Sequence, residues 1–277
     1  MMNAQIGISG RSLNPQYIKD KGYKRTQICQ AVVHSYQLTD VIRMARDGDM
    51  KVGYHLPIYH QSNPRDAFYM SKNFRLRDAN FEILEANLNM IKGFNVDYAV
   101  IHFISNQIEN ESYDSLDEFI NIADKSLSRL NMLAKEYNIT INIEYSSLLL
   151  EYSSPKHWID LVSKYENIGL CLNVGELFFR SKERNKDFYS ELQMMLNRVN
   201  MIHLYNARER ADVDKYGYIP INPDQDPKEG WIDILKTVSY IKRLKRKIPI
   251  VLDPNFDYKG EKYFSDGVNW LNDLLNN

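Results

Sequence analysis

Eight short apolar runs, separated by longer stretches of helical period, constrain the fold of this chain more than any other feature. They are QIGIS (Gln5 to Ser9), TQICQAVV from Thr26, KVGYHL from Lys51, DYAVIHF from Asp97, ITINIEY from Ile139, IGLCLN from Ile168, NMIHLY from Asn200 and IPIVLD from Ile248. Runs this rich in β-branched residues read as strands covered on both faces. Between them, Phe81, Leu84, Leu88 and Ile91 recur at helical spacing, as do Leu116, Phe119, Ile120, Ala123, Leu127 and Leu130. Further helices are expected from Thr39 to Arg46, Pro155 to Tyr165, Phe188 to Leu196, Ile232 to Leu244 and Phe264 to Leu275, with Ser115 and Glu118 as a capping box. Eight strand-then-helix units predict a parallel sheet, most simply closed as a (β/α)8 TIM barrel with residues 1–277 as one domain. An open doubly wound sheet is the alternative, but no GxGxxG or GxxxxGK[ST] follows any run.

With 35 basic and 36 acidic residues, the chain has a net charge of −1 and no broad positive field for nucleic acid or an anionic membrane. A small molecule is the expected partner. Cys29 and Cys171 lie in apolar runs, as buried thiols do, and form no CxxC or disulfide pattern. The opening MMNAQIGISG lacks the basic start and long apolar stretch of a signal peptide, and nowhere do about 18 apolar residues run together. These features predict a soluble cytoplasmic protein and leave a homo-oligomer open.

In a barrel of this kind the carboxyl ends of the strands face the active site, so polar residues closing an apolar run are candidates for chemistry. The third run ends in His55, the fourth in His102, the fifth in Glu144, the sixth in Asn173, the seventh in His203 and the eighth in Asp253. A carboxylate inside INIEY is costly to bury without a cation or hydrogen-bond donors. Imidazole and carboxylate groups from different strands together suit a divalent ion such as Mn2+, Zn2+, Co2+ or Mg2+. Taken singly, each histidine equally fits a satisfied, partly buried side chain.

The fragments YHLP around His55, VIHF around His102, INIEY around Glu144, GLCLNVGE around Asn173, MIHLYNAR around His203, YIPINPDQDPKEGWIDI from Tyr218 and VLDPN around Asp253 stand in a telling order. In that order and spacing the chain resembles, over essentially its whole length, the xylose isomerase-like barrel superfamily of sugar isomerases, epimerases and metal-dependent apurinic endonucleases. The resemblance implies one divalent metal held by a fifth-strand Glu, a sixth-strand Asp, a seventh-strand His and an eighth-strand Glu. By position these are Glu144, Asn173, His203 and Asp253. In the ketose epimerases of that superfamily the two Glu also move the proton next to the carbonyl. Two positions depart from the pattern. Asn173 replaces the Asp, and the His normally three residues later is Glu176. One reading is that Glu176 supplies the carboxylate while Asn173 offers the ion a neutral carbonyl oxygen. The plainer one has Asn173 bonding the following turn and Glu176 solvated. Asp253 keeps its charge but loses about 1.5 Å of reach relative to Glu.

Members of the superfamily with several zinc ions carry an Asp and a His in the loop after the seventh strand, whereas this chain reads KYGYIPI with Tyr218 at the position of the His. A three-zinc site is therefore incomplete, and a near-neutral chain lacks the phosphate neutralisation on which DNA affinity rests. The Pro-rich stretch from Ile219 to Glu229 falls where barrels carry functional loops. Asp233 reads as a helix start.

The resemblance implies a metal-dependent isomerase or epimerase of a small sugar, sugar phosphate or related hydroxy-carbonyl compound. Glu144 would remove a proton, Asp253 or Glu176 would return it, His203 would bind metal and His102 would polarise a substrate oxygen. His55, Tyr145 and Arg208 are expected to touch the substrate, with Arg11 a second cation for a phosphate or carboxylate. Tyr54, Tyr59 and Tyr205 suit a sugar-lined mouth and half-buried barrel surface equally well. Two other classes stay open: a metal-dependent phosphoester hydrolase, in which His55 and His102 help a second ion, and a barrel that has lost part of its metal site and binds a ligand or partner. RSKERNKD, from Arg180, reads as a solvated charged loop.

Overall fold

Every one of the eight apolar runs is a strand in the computed structural model of the protein, which describes residues 2–10, 15–29, 38–47, 50–58, 67–94, 96–104, 113–145 and 152–277. The strands are β1 (Ile6–Ser9), β2 (Arg25–Ile28), β3 (Lys51–Leu56), β4 (Val96–His102), β5 (Ile141–Tyr145), β6 (Ile168–Asn173), β7 (Val199–Leu204) and β8 (Ile250–Leu252). They pair in chain order, each parallel to the next, and β8 closes on β1. This is a (β/α)8 barrel. The second run, TQICQAVV, extends into residues outside the described ones, as do Arg11 and Tyr59.

Successive side chains of a strand point to opposite faces. One set, including Ile8, Leu56, Ile143, Leu172 and Leu204, is buried between barrel and helices. The alternate set faces the barrel axis, where Tyr98, Val100, Cys171, Met201 and Val251 form a separate apolar cluster. Gly53 belongs to that interior: a Cβ there would lie 2.2 Å from the ring of Tyr98, so the missing side chain makes room for the tyrosine.

Among the described residues ten α-helices surround the strands: α1 (Pro15–Asp20), α2 (Leu38–Asp47), α3 (Phe74–Ile91), α4 (Leu116–Glu136), α5 (Pro155–Val162), α6 (Val174–Glu183), α7 (Phe188–Leu196), α8 (Arg210–Tyr216), α9 (Ile234–Lys242) and α10 (Gly260–Asn276). None is long and apolar enough to cross a membrane. Ser115 caps α4 by accepting from the Glu118 N–H at 3.1 Å, and the Glu118 carboxylate accepts from the N–H of Asp114, one residue before the Ser115 N–H that a capping box would use. Asp233 caps α9 through the Lys236 N–H at 2.9 Å.

Helices α1, α6 and α8 lie outside the helical stretches expected from the sequence. The start of α6 is decided by tertiary packing: a Cβ on Gly175 would come 2.1 Å from the Tyr205 ring, so only glycine lets the first turn lie against the end of β7. RSKERNKD is not a solvated loop. It ends α6 and leads into α7, with Arg184 making two 2.6 Å bonds to the buried Glu191, which also accepts from Ser181 Oγ at 2.5 Å. The Pro-rich loop after β7 is pinned by Asn206, whose amide donates to Gln225 Oε1 at 2.9 Å and accepts from the Ile232 N–H at 3.0 Å.

Candidate active site

The apolar cluster inside the barrel gives way to polar side chains one pleat higher. Two residues beyond Val100 stands His102, beyond Cys171 stands Asn173, beyond Met201 stands His203, and beyond Val251 stands Asp253. Gly53 leads likewise to His55 and Asn142 to Glu144. The period of two thus carries six polar residues from six strands to one mouth.

Glu144 is the centre of this group and is 2% exposed. Its Oε1 accepts from Asn173 Nδ2 at 2.9 Å and lies 3.4 Å from His203 Nδ1. Its Oε2 lies 3.0 Å from His55 Nε2 and 4.0 Å from His102 Nε2. The rings crowd together, with centroids 4.8 Å apart for His55 and His102 and 5.8 Å for His55 and His203. Burial alone would raise the Glu144 carboxyl, but the charges of His203 and His102 and the bonds from His203 and His55 hold it well below the usual carboxylate range. His203 shows the reciprocal effect. Burial lowers it, while Cys171 and Glu144 more than offset that and hold it well above the ordinary imidazole range. The Cys171 thiol is itself pushed up by burial and stays neutral, so the charge that His203 meets is that of Glu144.

The amide of Asn173 is fixed at both ends. Its oxygen accepts from the Glu176 N–H at 3.1 Å, capping α6, and its nitrogen donates to Glu144. A backbone N–H can only donate and an ionised carboxylate can only accept, which determines which way the amide turns. The carbonyl oxygen thus faces the helix, not the carboxylate. Glu176 turns to Arg210, 3.4 Å away, and its second oxygen is buried without a partner. Asp253 follows β8 and is half-buried. Tyr145 faces the helices: it is fully buried, donates to the Ser153 carbonyl and packs edge-on against Trp158. Tyr54 is also fully buried, and Tyr205 stacks on Tyr218 with centroids 4.5 Å apart. Arg208 makes a two-bond pair with Asp212 at 2.9 and 3.0 Å and stacks over Trp231.

Among the described residues, His55, Glu144 and His203 are the group whose donor atoms lie within 4.8 Å of one another. Two imidazoles and a carboxylate around a buried charge fit a divalent ion of the zinc or manganese kind.

No protein-family model matches the sequence, and no curated protein matches it significantly. Solved structures do match. A D-tagatose 3-epimerase-like protein superposes with a TM-score of 0.70 at 14% identity, covering 98% of this chain and 97% of its own. The 3-keto-D-glucoside 4-epimerase from E. coli, in its apo form, gives 0.68 at 11%, covering 97% and 99%. The IOLI protein with a zinc atom gives 0.66 at 12%, covering 98% and 95%. The chain shares the (β/α)8 barrel fold of these structures.

Within this barrel two residues near the mouth are not among those the sequence marks as candidates. Gln27 on β2 is buried, and its Oε1 lies 3.1 Å from His203 Nε2. Arg210 reaches back from α8 to Glu176 and to Glu183, both at 3.4 Å. The period of two in RTQI signals Gln27, since a polar side chain two residues after Arg25 must share its face. No sequence signal marks Arg210, whose partners come from another helix.

Proposed function

We propose that the protein is a metal-dependent isomerase or epimerase that moves a proton at the carbon next to a carbonyl in a small sugar, sugar phosphate or related hydroxy-carbonyl compound. The observation that carries this reading is Glu144, a buried ionised carboxylate ringed by three imidazoles at the carboxyl ends of the strands. The epimerases among the matching structures support it by analogy of fold.

His55, Glu144 and His203 are the residues that would hold the ion, which when bound would supply Lewis acidity toward a carbonyl and its neighbouring hydroxyl. Glu144 is assigned the α-proton. The donors around it keep it ionised, and so able to accept one, at neutral pH. His102 lies outside the group of three and is assigned to a substrate oxygen, where it compensates developing charge. Asp253, at the end of β8, is assigned the return of the proton. Asn173 holds one oxygen of Glu144 in place, and Glu176 orients Arg210 at the rim.

The test is hydrogen exchange at the α-carbon in D2O, followed by proton NMR over a panel of ketoses, their phosphates and inosose-type compounds with Mn2+, Zn2+, Co2+ or Mg2+. Exchange that is lost in Glu144→Gln supports the proposal. No exchange with any pair counts against it. Saturable sugar binding without exchange would instead favour a ligand-binding barrel, a reading supported by the protein donors that already satisfy both oxygens of Glu144.

A further inference from the structure

We infer that Gln27 is a positioning residue for His203, fixing its ring so that Nδ1 is the nitrogen presented to the metal. The inference rests on the metal reading above and deepens it.

A glutamine at an inward-facing position of a barrel strand, 3% exposed, is expensive unless its amide is paired. Gln27 Oε1 is paired twice, at 3.1 Å from His203 Nε2 and at 3.4 Å from the Tyr98 hydroxyl, which donates to it. Burial pushes the Tyr98 phenol up, so it keeps its proton and remains a donor. With the amide oxygen turned to both neighbours, His203 meets it with its proton on Nε2. That leaves Nδ1, 3.4 Å from Glu144 Oε1, as the ring nitrogen on the side of the donor group.

The support continues downward. Gly53 has no Cβ to strike the Tyr98 ring, Tyr98 fills that space and donates to Gln27, and Gln27 holds the imidazole. A ligating histidine commonly has its second nitrogen bonded to a carbonyl or carboxylate that sets tautomer and ring orientation. Here a neutral amide takes that part, from a strand that contributes none of the three donors.

The experiment is zinc affinity of the full chain by competition with a chelator, together with the imidazole nitrogen NMR spectrum. His203 is assigned by the signals lost in His203→Asn. Gln27→Leu is expected to weaken zinc binding by about ten- to a hundredfold. Gln27→Glu, which keeps the acceptor, should bind zinc within a few-fold of the parent. In the zinc-loaded parent the spectrum should show Nε2 protonated and Nδ1 bound to the ion, and in Gln27→Leu that single tautomer should be lost. Parent-like zinc affinity in a folded Gln27→Leu, or zinc on Nε2, overturns the inference. A parent chain that takes up no zinc would defeat the metal reading instead. The metal-free spectrum then still decides the role of Gln27, because a protonated Nε2 that shifts in Gln27→Leu upholds it and an unchanged His203 signal refutes it.

Discussion

The nitrogen of the Asn173 amide, not its oxygen, faces Oε1 of Glu144 at 2.9 Å. An aspartate at this position would set a second carboxylate against the first, which is tolerable only when a cation or proton lies between them. Asn173→Asp should keep the cap on α6, because aspartate caps as well as asparagine. In chelator it should lose about 2–3 kcal/mol of stability, from the broken bond and the added repulsion. Zinc should restore most of that loss. Thermal unfolding with and without zinc checks both limbs, and a metal-free variant as stable as the parent would refute the account.

The donor group predicts which carboxylate matters for metal. Glu144→Gln should abolish stoichiometric zinc binding, while Glu176→Gln should retain it, because Glu176 is turned to Arg210 and lies outside the group of three. Metal content per chain, measured on protein purified without chelator, distinguishes them. Zinc lost in both variants would restore Glu176 to the ligand set.

The pairing of Glu144 with His203 predicts a stability maximum with two limbs. Glu144 is held below its ordinary range, so its contribution is present above the unfolded carboxylate value of about 4.3 and is lost as pH falls through the depressed folded value. His203 is held above its ordinary range. Its contribution is present below about 6.5 and is lost as pH rises through the raised folded value. The two limbs report one interaction. In metal-free protein, His203→Gln should flatten the alkaline limb of a plot of melting temperature against pH, and an unchanged limb would assign it to another group.

Gly175→Ala should be costly although alanine is the better helix former. The added Cβ would meet the Tyr205 ring at 2.1 Å, and forced displacement of a buried aromatic costs about 1–3 kcal/mol. Tyr205→Phe should be nearly silent, because the hydroxyl has no hydrogen-bond partner. Urea unfolding of both variants measures the contrast.

The barrel is legible in the sequence because parallel strands covered on both faces read as unbroken apolar runs, and because polar residues closing those runs mark the mouth. His55, His102, Glu144, Asn173, His203 and Asp253 are found in this way. Tyr145 could not be assigned by proximity alone, since one step along a strand reverses the face and sends it into the helices. Gln27 escapes notice because it sits mid-strand, where an amide resembles a tolerated polar interruption until the partners across the barrel are known. The amide of Asn173 was ambiguous for a related reason. Its two ends serve a helix cap and a carboxylate at once, and spacing reveals just the first of these.

The apolar cluster beneath the mouth has a kinetic consequence. Cys171 lies within it, fully buried among Tyr98, Val100, Met201 and Val251, whereas Cys29 is half-buried. A thiol reagent can attack Cys171 only when strands part, so its modification counts rare separations of the barrel wall, with Cys29 as an internal reference for ordinary access. Followed by mass spectrometry, the chain carries its own clock for how often the cylinder opens.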